Sequence, residues 1–480
     1  MINRKRVLLL ALILILTSTI VYSPHLVTPF PLHADEWHHI EQALRLKNSE
    51  YKFGTQSVEI GFHIFLLIIS YLTDLVLFYK FLPAIWAVLS SIILFAIILN
   101  KTSRFYIAIL AIIFFASIKS NVNIMGLWFF TPLTFSIPFI FLYIYLFTEG
   151  IQKQNKKYIL TSLVIMLFLI PVHSISVLFA IPFLAIYALI HYKYLLREYK
   201  FFLLFLLIPV IGIFFYSQIF NLTIVDSLAE IFQNLQFRQG WGVLELKNSF
   251  AEVYSLTGYL LAFLGLVFII KNKTAEKYLE FILWPLTLLI MIFIFKTTGT
   301  SYFSPFQRNL YYLAISLPFL SAYGTYCLIA EIKNKIKNSK FVKLIIIFVL
   351  ALIIILTFFS YLKTPEQIQL YKIIDNQDYQ DLKFLSTLPK SKILAEPIIS
   401  TAIYPVSQQN ITADIFQRSS KQKDVEKFFE TDNCTEKEKI IKTYKPDYVL
   451  SEYPIDCNYT EIYNKNNYVY NVKKLKWEKK

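Results

Sequence analysis

The stretch Pro31-Leu-His-Ala-Asp-Glu-Trp-His-His-Ile-Glu-Gln-Ala-Leu-Arg45 gathers groups able to exchange protons: the adjacent acids Asp35 and Glu36, with His33, His38 and His39 around them. Trp37, Ile40 and Leu44 recur at helical spacing, which predicts a helix with Asp35 as its N-cap and His38, Gln42 and Arg45 on the polar stripe. Of the 7 histidines, His25, His33, His38, His39 and His63 all fall in this neighbourhood, so the chemistry is concentrated here. Neighbouring carboxylates flanked by imidazoles suit proton abstraction from a hydroxyl, or cation binding. A solvated cap on an amphipathic helix would look the same, and spacing alone leaves both readings open. A divalent cation at the Asp35/Glu36/His cluster is a candidate cofactor, but the chain contains no His-Glu-x-x-His, so a zinc protease has no motif behind it.

The elements that must hold this stretch are membrane helices. A chain of 480 residues that is 56% hydrophobic and 16% charged is too apolar for an ordinary globular protein. Its long apolar runs, separated by short basic loops, predict an α-helical polytopic membrane protein in a cell membrane. The net charge of +15 follows from lysines crowded into those loops, as cytoplasmic loops require, and so implies no nucleic-acid partner. The first run, 7–23, follows Arg4-Lys-Arg6 without a small-residue cleavage site before Pro24, so it reads as an uncleaved helix with a cytoplasmic N-terminus. Basic loops at 101–104, 153–157, 191–200, 271–277 and 333–343 are placed inside; 120–132, 218–252, 296–308 and everything after 363 are placed outside.

An odd number of crossings must separate the first outer loop (24–80) from the inner loop at 101. The clean run 81–99 is therefore the span, and 59–80, interrupted by His63, Ser70 and Asp74, is laid along the outer surface. About 11 transmembrane helices result, forming a module over 1–363.

From 364 to 480 the composition turns polar and mixed, predicting a small extracytoplasmic α/β domain. Lys392-Ile-Leu-Ala-Glu-Pro, Asp447-Tyr-Val-Leu-Ser and Tyr468-Val-Tyr-Asn-Val read as short strands; 378–388, 424–429 and 436–444 read as helices. Cys434 and Cys457 lie where thiols oxidise, and a disulfide between them would be worth about 3 kcal/mol. Asn410-Ile-Thr, Asn433-Cys-Thr and Asn458-Tyr-Thr are sequons in the same domain.

His33-Ala-Asp-Glu-Trp, directly after the first span and opening an amphipathic helix, resembles the first outer loop of the GT-C glycosyltransferases, membrane enzymes that use lipid-phosphate sugars. Gly61-Phe-His63 and the run after it resemble the segment ahead of that family's second span, and the overall plan is similar: N-terminus inside, about 11 spans, an outer C-terminal domain. Protein O-mannosyltransferases carry His-Pro-Pro where this chain has His63 alone. The absence of a Trp-Trp-Asp signature argues against an oligosaccharyltransferase, and the outer turn with Asn121, Asn123 and Trp128 carries no second acidic motif.

The resemblance implies a polyprenyl-phosphate-sugar donor, a glycan, lipid or protein acceptor, and transfer with inversion at the outer face of the bilayer. Asp35 then matches the catalytic base, with Glu36 beside it to orient the acceptor or a cation. The departing phosphate needs an outer-side cation: Arg308 in Ser304-Pro-Phe-Gln-Arg-Asn, with Gln307 and Tyr302 nearby, or Arg238 in Phe237-Arg-Gln-Gly-Trp-Gly. Snorkelling at a helix end is the alternative reading of each arginine, and the plainer one for Arg238 alone. His33, His38, His39, His63 and His173 are candidate pocket residues. Two other classes compete: a polysaccharide polymerase or ligase of different fold, and a transporter or solute-binding membrane protein. A transporter would carry charges or broken helices at mid-membrane, and these spans carry almost none.

Overall fold

Each apolar run of the sequence folds into a helix. The computed structural model describes residues 4–121, 124–238, 250–335, 339–359, 372–416 and 420–476. Among these, 7 helices are long and apolar enough to cross a membrane: Arg4–Leu26, Leu75–Thr102, Pro132–Gln152, Lys156–His173, Tyr199–Phe220, Leu279–Thr298 and Phe306–Asn334. Shorter apolar helices cover Ser57–Leu72, Phe105–Ala116, Ile175–Ile190, Leu256–Lys271 and Lys343–Phe358. Ser57–Leu72 overlaps the run 59–80 expected to lie along the surface. Leu8, Leu12 and Ile15 stand exposed on the first helix, as apolar side chains do where the solvent is lipid. Ile64, Ile68 and Leu72 make a similar exposed row along one face of Ile60–Leu72.

Side-chain and backbone contacts sort the loops of the first compact unit (Met1–Pro24, Lys52–Phe62, Phe81–Thr364) into two sets. In one set, Lys101 Nζ lies 2.6 Å from Glu149 and 2.9 Å from Glu280, joining three helix ends. Lys156 pairs with Glu198 at 2.6 Å, Lys271 with Glu331 at 2.7 Å, and Arg6 packs over the ring of Phe105. In the other set, Lys119 Nζ donates to the Ala251 carbonyl at 2.6 Å, Phe303 N to Leu235 O at 3.1 Å, and Arg308 Nη1 to Ile124 O at 3.2 Å. These are the groupings that positive-inside charge predicts. One detail departs from expectation. Lys101 is no solvated loop residue but is buried, and two carboxylates hold a charge that would otherwise be costly there. Close helix packing also fixes two glycines: a Cβ at Gly265 would strike the Leu320 carbonyl, and one at Gly324 the Leu261 carbonyl.

The second compact unit gathers His25–Tyr51 and His63–Lys80 with Pro365–Lys480. Its core is a five-stranded sheet. Lys392–Leu394 is flanked in parallel by Asn410–Ile411 and Tyr448–Ser451. Tyr468–Asn471 then adds antiparallel to Tyr448–Ser451, with Thr460–Asn464 at the edge. All three expected strands are present; Asn410–Ile411, Thr460–Asn464 and the helix Pro397–Ser407 are additional. Helices Asn376–Leu385, Ser420–Glu430 and Cys434–Tyr444 match the expected ones. Leu394, Val425, Phe428, Ile441, Val449 and Val472 pack as the apolar centre. Cys434 and Cys457 form the expected disulfide, closing a separation of 23 residues. The expected domain boundary at 363/364 lies outside the described residues.

Candidate functional site

The acidic helix is Ala34–Lys47, and its start differs from expectation. His33, not Asp35, is the N-cap: its Nδ1 accepts from Asp35 N at 3.1 Å. Glu36 completes a capping box, its Oε2 accepting from His33 N at 3.0 Å and from Leu32 N at 2.7 Å. Histidine is an unusual cap, so sequence preferences point to the acid two residues on. The swap leaves Asp35 in the first turn with its carboxylate outside the cap and its side chain 34% exposed. Glu36 is wholly buried and turned back on the backbone. His33 Nδ1 lies 3.8 Å from Asp35 Oδ2, but a nitrogen that accepts from a backbone N–H carries no proton, so this is not a charge pair. Trp37 anchors the turn, fully buried with its indole N–H donating to Pro31 O at 3.2 Å, and Ile40 and Ala43 bury the same face.

Two further histidines, His38 and His39, lie on this helix and meet His63 beside it. His39 Nδ1 lies 3.1 Å from His63 Nε2, and His63 Nδ1 lies 3.2 Å from the Tyr51 hydroxyl, giving a hydrogen-bonded chain of three side chains. The His38 ring packs edge-on to His39 and 4.9 Å from the ring of Phe416. Burial pushes His38 below the usual imidazole range, while the carboxylates of Asp35 and Asp414 pull the other way. Asp414 is itself buried, its Oδ1 accepting from Phe416 N at 2.9 Å. Burial also raises the Glu41 carboxyl, against the pull of Arg45.

The far end of the helix is clasped by the helix Pro397–Ser407. Arg45 Nε donates to Glu41 Oε1 at 2.7 Å, and its guanidinium sits 3.9 Å from the centre of the Tyr404 ring. The Tyr404 hydroxyl donates to Glu50 Oε2 at 3.0 Å and accepts from Asn48 at 3.3 Å; Lys390 pairs with Glu50 as well. Tyr404, Asp414, Phe416 and Tyr51 escaped sequence reasoning because their partners are distant in the chain and no local pattern announces them.

The phosphate candidates belong to the first unit. Arg308 lies in the first turn of Phe306–Ser316, behind a loop knitted by Ser301, Ser304 and Asn309. Asn121 and Trp128 lie in the turn whose Ile124 carbonyl accepts from Arg308, while Asn123 lies outside the described residues. Of the residues expected around Arg308, Gln307 is buried and Tyr302 is exposed. Tyr312, one turn on from Arg308, meets Ser176 Oγ at 3.1 Å, and Ser176 Oγ meets His173 Nδ1 at 2.7 Å. Arg238 is exposed on a short strand, Gln236–Arg238, paired antiparallel with Thr300–Tyr302; the residues following it, 239–249, lie outside the described ones.

The donor set does not fit a resident metal. Among the described residues no group of three or more His, Cys, Asp or Glu side chains is placed to hold an ion. Glu36 Oε2 is committed to backbone N–H groups, and His33 Nδ1, His39 Nδ1 and His63 Nε2 to hydrogen bonds.

No family model matches the sequence, and no curated protein matches it. Solved structures do share its fold. In particular it is the fold of an archaeal oligosaccharyltransferase. The Archaeoglobus fulgidus enzyme tethered to an acceptor peptide containing the NVT sequon superposes with a TM-score of 0.56 at 13% identity, over 92% of this chain and 69% of that one. The same organism's AglB in complex with an inhibitory peptide and a dolichol-phosphate gives 0.56 at 12% identity over 92% and 69%. Its complex with Zn and sulfate gives 0.56 at 12% over 92% and 68%. At such identity the likeness is one of fold.

Proposed function

We propose that this chain is an integral cell-membrane glycosyltransferase that moves a sugar from a polyprenyl-phosphate-linked donor to an extracytoplasmic acceptor with inversion, Asp35 acting as general base. The observation that carries the reading is the cap exchange. With His33 and Glu36 closing the helix start, Asp35 is left with a partly exposed carboxylate held in place by a rigid first turn. Glu36 is then a positioning residue, through the cap, for the base. The shared fold supports this class over a polymerase of different architecture and over a transporter. The missing Trp-Trp-Asp keeps the acceptor class open among glycan, lipid and protein.

The chemistry follows from the donor. A sugar on a polyprenyl phosphate already carries a good leaving group, so no general acid is required. The acceptor hydroxyl oxygen attacks the anomeric carbon from the face opposite the phosphate. The bond from that carbon to the phosphate oxygen breaks with its electron pair, and the hydroxyl proton passes to Asp35. In-line displacement inverts the anomeric centre. Arg308 is the phosphate partner, its fork suited to two phosphate oxygens, and Arg238 is a second cation for the same lipid headgroup. His173, with Nδ1 held by Ser176, would offer its other ring nitrogen to the donor. The residues fit no divalent cation as they stand, and no step is routed through one.

The amino terminus lies in the cytoplasm and the α/β domain outside, in line with the loop charges. The direct test supplies membranes containing the chain with a polyprenyl-phosphate sugar and measures release of polyprenyl phosphate. Release above membranes lacking the chain supports the reading; no release with any of a panel of hexose and pentose donors overturns it.

A further inference from the structure

The three sequons of the second unit are equal in sequence and unequal in structure. In the first, Thr412 is fully buried, and both its hydroxyl and its N–H donate to the Ile393 carbonyl, at 2.9 and 2.8 Å. The sheet has taken the hydroxyl that defines the motif. In the second, Asn433 is the N-cap of Cys434–Tyr444, its side-chain oxygen accepting from Thr435 N at 3.0 Å and Glu436 N at 3.4 Å. Its amide is immobilised against the helix start.

The third is different. Asn458 and Thr460 are both exposed, and the Asn458 side chain has no hydrogen-bond partner among the described residues. Tyr459 N donates to Cys457 O at 2.6 Å, so Asn458 stands at the corner of a tight turn. The Cys434–Cys457 bridge pins that turn at its base, and Thr460 opens the edge strand Thr460–Asn464. Attachment of a glycan needs an amide nitrogen that a bulky donor can approach and a threonine hydroxyl free to be bound two residues on. Asn458 meets both needs.

We propose that Asn458 is an N-glycosylation site and that Asn410 and Asn433 are not. In the step, the Asn458 amide nitrogen bonds to the anomeric carbon of a lipid-linked oligosaccharide. The bond from that carbon to the lipid phosphate oxygen breaks with its electron pair on the phosphate, and the amide loses one proton to the transferring enzyme. The modification is carried out on this chain by an oligosaccharide-transfer enzyme of the same cell. It rests on the outer placement of the α/β domain.

The test uses full-length protein from its native membranes, with labelling of intact cells by a membrane-impermeant amine reagent before extraction. Peptide mass spectrometry then reads Asn410, Asn433, Asn458 and the exposed Lys465 together. The expected result is a labelled Lys465, a glycan mass on the Asn458 peptide and bare Asn410 and Asn433 peptides. Thr460→Ser should keep the glycan, and Thr460→Val should lose it. A labelled Lys465 with a bare Asn458, or a glycan on Asn410 or Asn433 instead, overturns the site and leaves the outer placement standing. An unlabelled Lys465 in cells whose known surface proteins are labelled overturns the placement, and the site with it.

Discussion

The guanidinium of Arg45, at the end of the acidic helix, lies 3.9 Å from the centre of the Tyr404 ring, more than 300 residues away in sequence. Through it the α/β portion of the chain grips the helix that carries Asp35, since Arg45 also holds Glu41 one turn earlier. Tyr404 is fully buried, so Tyr404→Ala should cost about 3–5 kcal/mol through lost packing. Tyr404→Phe keeps the ring under the cation and loses only the hydroxyl bonds to Glu50 and Asn48, so it should cost about 1–2 kcal/mol. Thermal unfolding of the detergent-solubilised variants would separate the two. Equal losses would mean that the stacked ring contributes nothing.

The disulfide should be worth about 3 kcal/mol, since the bridge spans 23 residues. Replacing both Cys434 and Cys457 by Ser should lower the unfolding temperature of the α/β domain, and alkylation without reductant should find only Cys327 reactive in the wild type. Labelling of Cys434 in unreduced native protein would remove the bridge.

His38 makes stability depend on pH. Burial lowers its folded-state value below the ordinary 6.5, so between the two values the unfolded chain binds more protons than the folded one. Its contribution is fully present above pH 6.5 and is lost as the pH falls below it. Glu41 has the opposite sign: its raised carboxyl favours the folded state at low pH and loses that contribution as pH climbs through the raised value. Burial lowers His63 in the same direction as His38, to about 3, so the two histidines together outweigh Glu41: the unfolding temperature should drop between pH 7.5 and 5.5, and His38→Gln should lessen that drop. An unchanged slope in the variant would place the titrating group elsewhere.

The membrane helices were legible because lipid demands long apolar runs, and the loop groupings because charge obeys a simple sidedness rule. The three central strands were legible for their β-branched and aromatic residues. Pro397–Ser407 was not, because its Pro405 and β-branched residues read against a helix. Asn410–Ile411 is too short to announce itself, and the polar edge strand Thr460–Asn464 owes its place to pairing with Tyr468–Asn471. At the site, the acidic pair was evident from composition, but the division of labour within it was not. That depended on an imidazole taking a role that serine, threonine or aspartate usually fill.

Arg308→Ala should weaken donor binding, raising KM for the lipid-linked sugar by about tenfold or more, as loss of a charge-assisted pair of hydrogen bonds worth about 1.5–3 kcal/mol predicts. Arg308→Lys should recover only part of it. Steady-state kinetics over a donor series checks this. A KM unchanged in Arg308→Ala would assign the phosphate to another cation, and Arg238→Ala would be the variant to compare.

The central claim is that the Asp35 carboxylate takes the acceptor's proton. Asp35→Asn keeps the side chain's size and leaves the cap to His33 and Glu36, so the helix start should survive while the base is lost. The decisive measurement is the rate of sugar transfer by Asp35→Asn beside wild type, in membranes holding equal amounts of folded protein and the same polyprenyl-phosphate donor. A fall of about 10²–10⁴-fold with donor binding retained is the predicted result. Transfer at the wild-type rate would contradict it and put the base elsewhere.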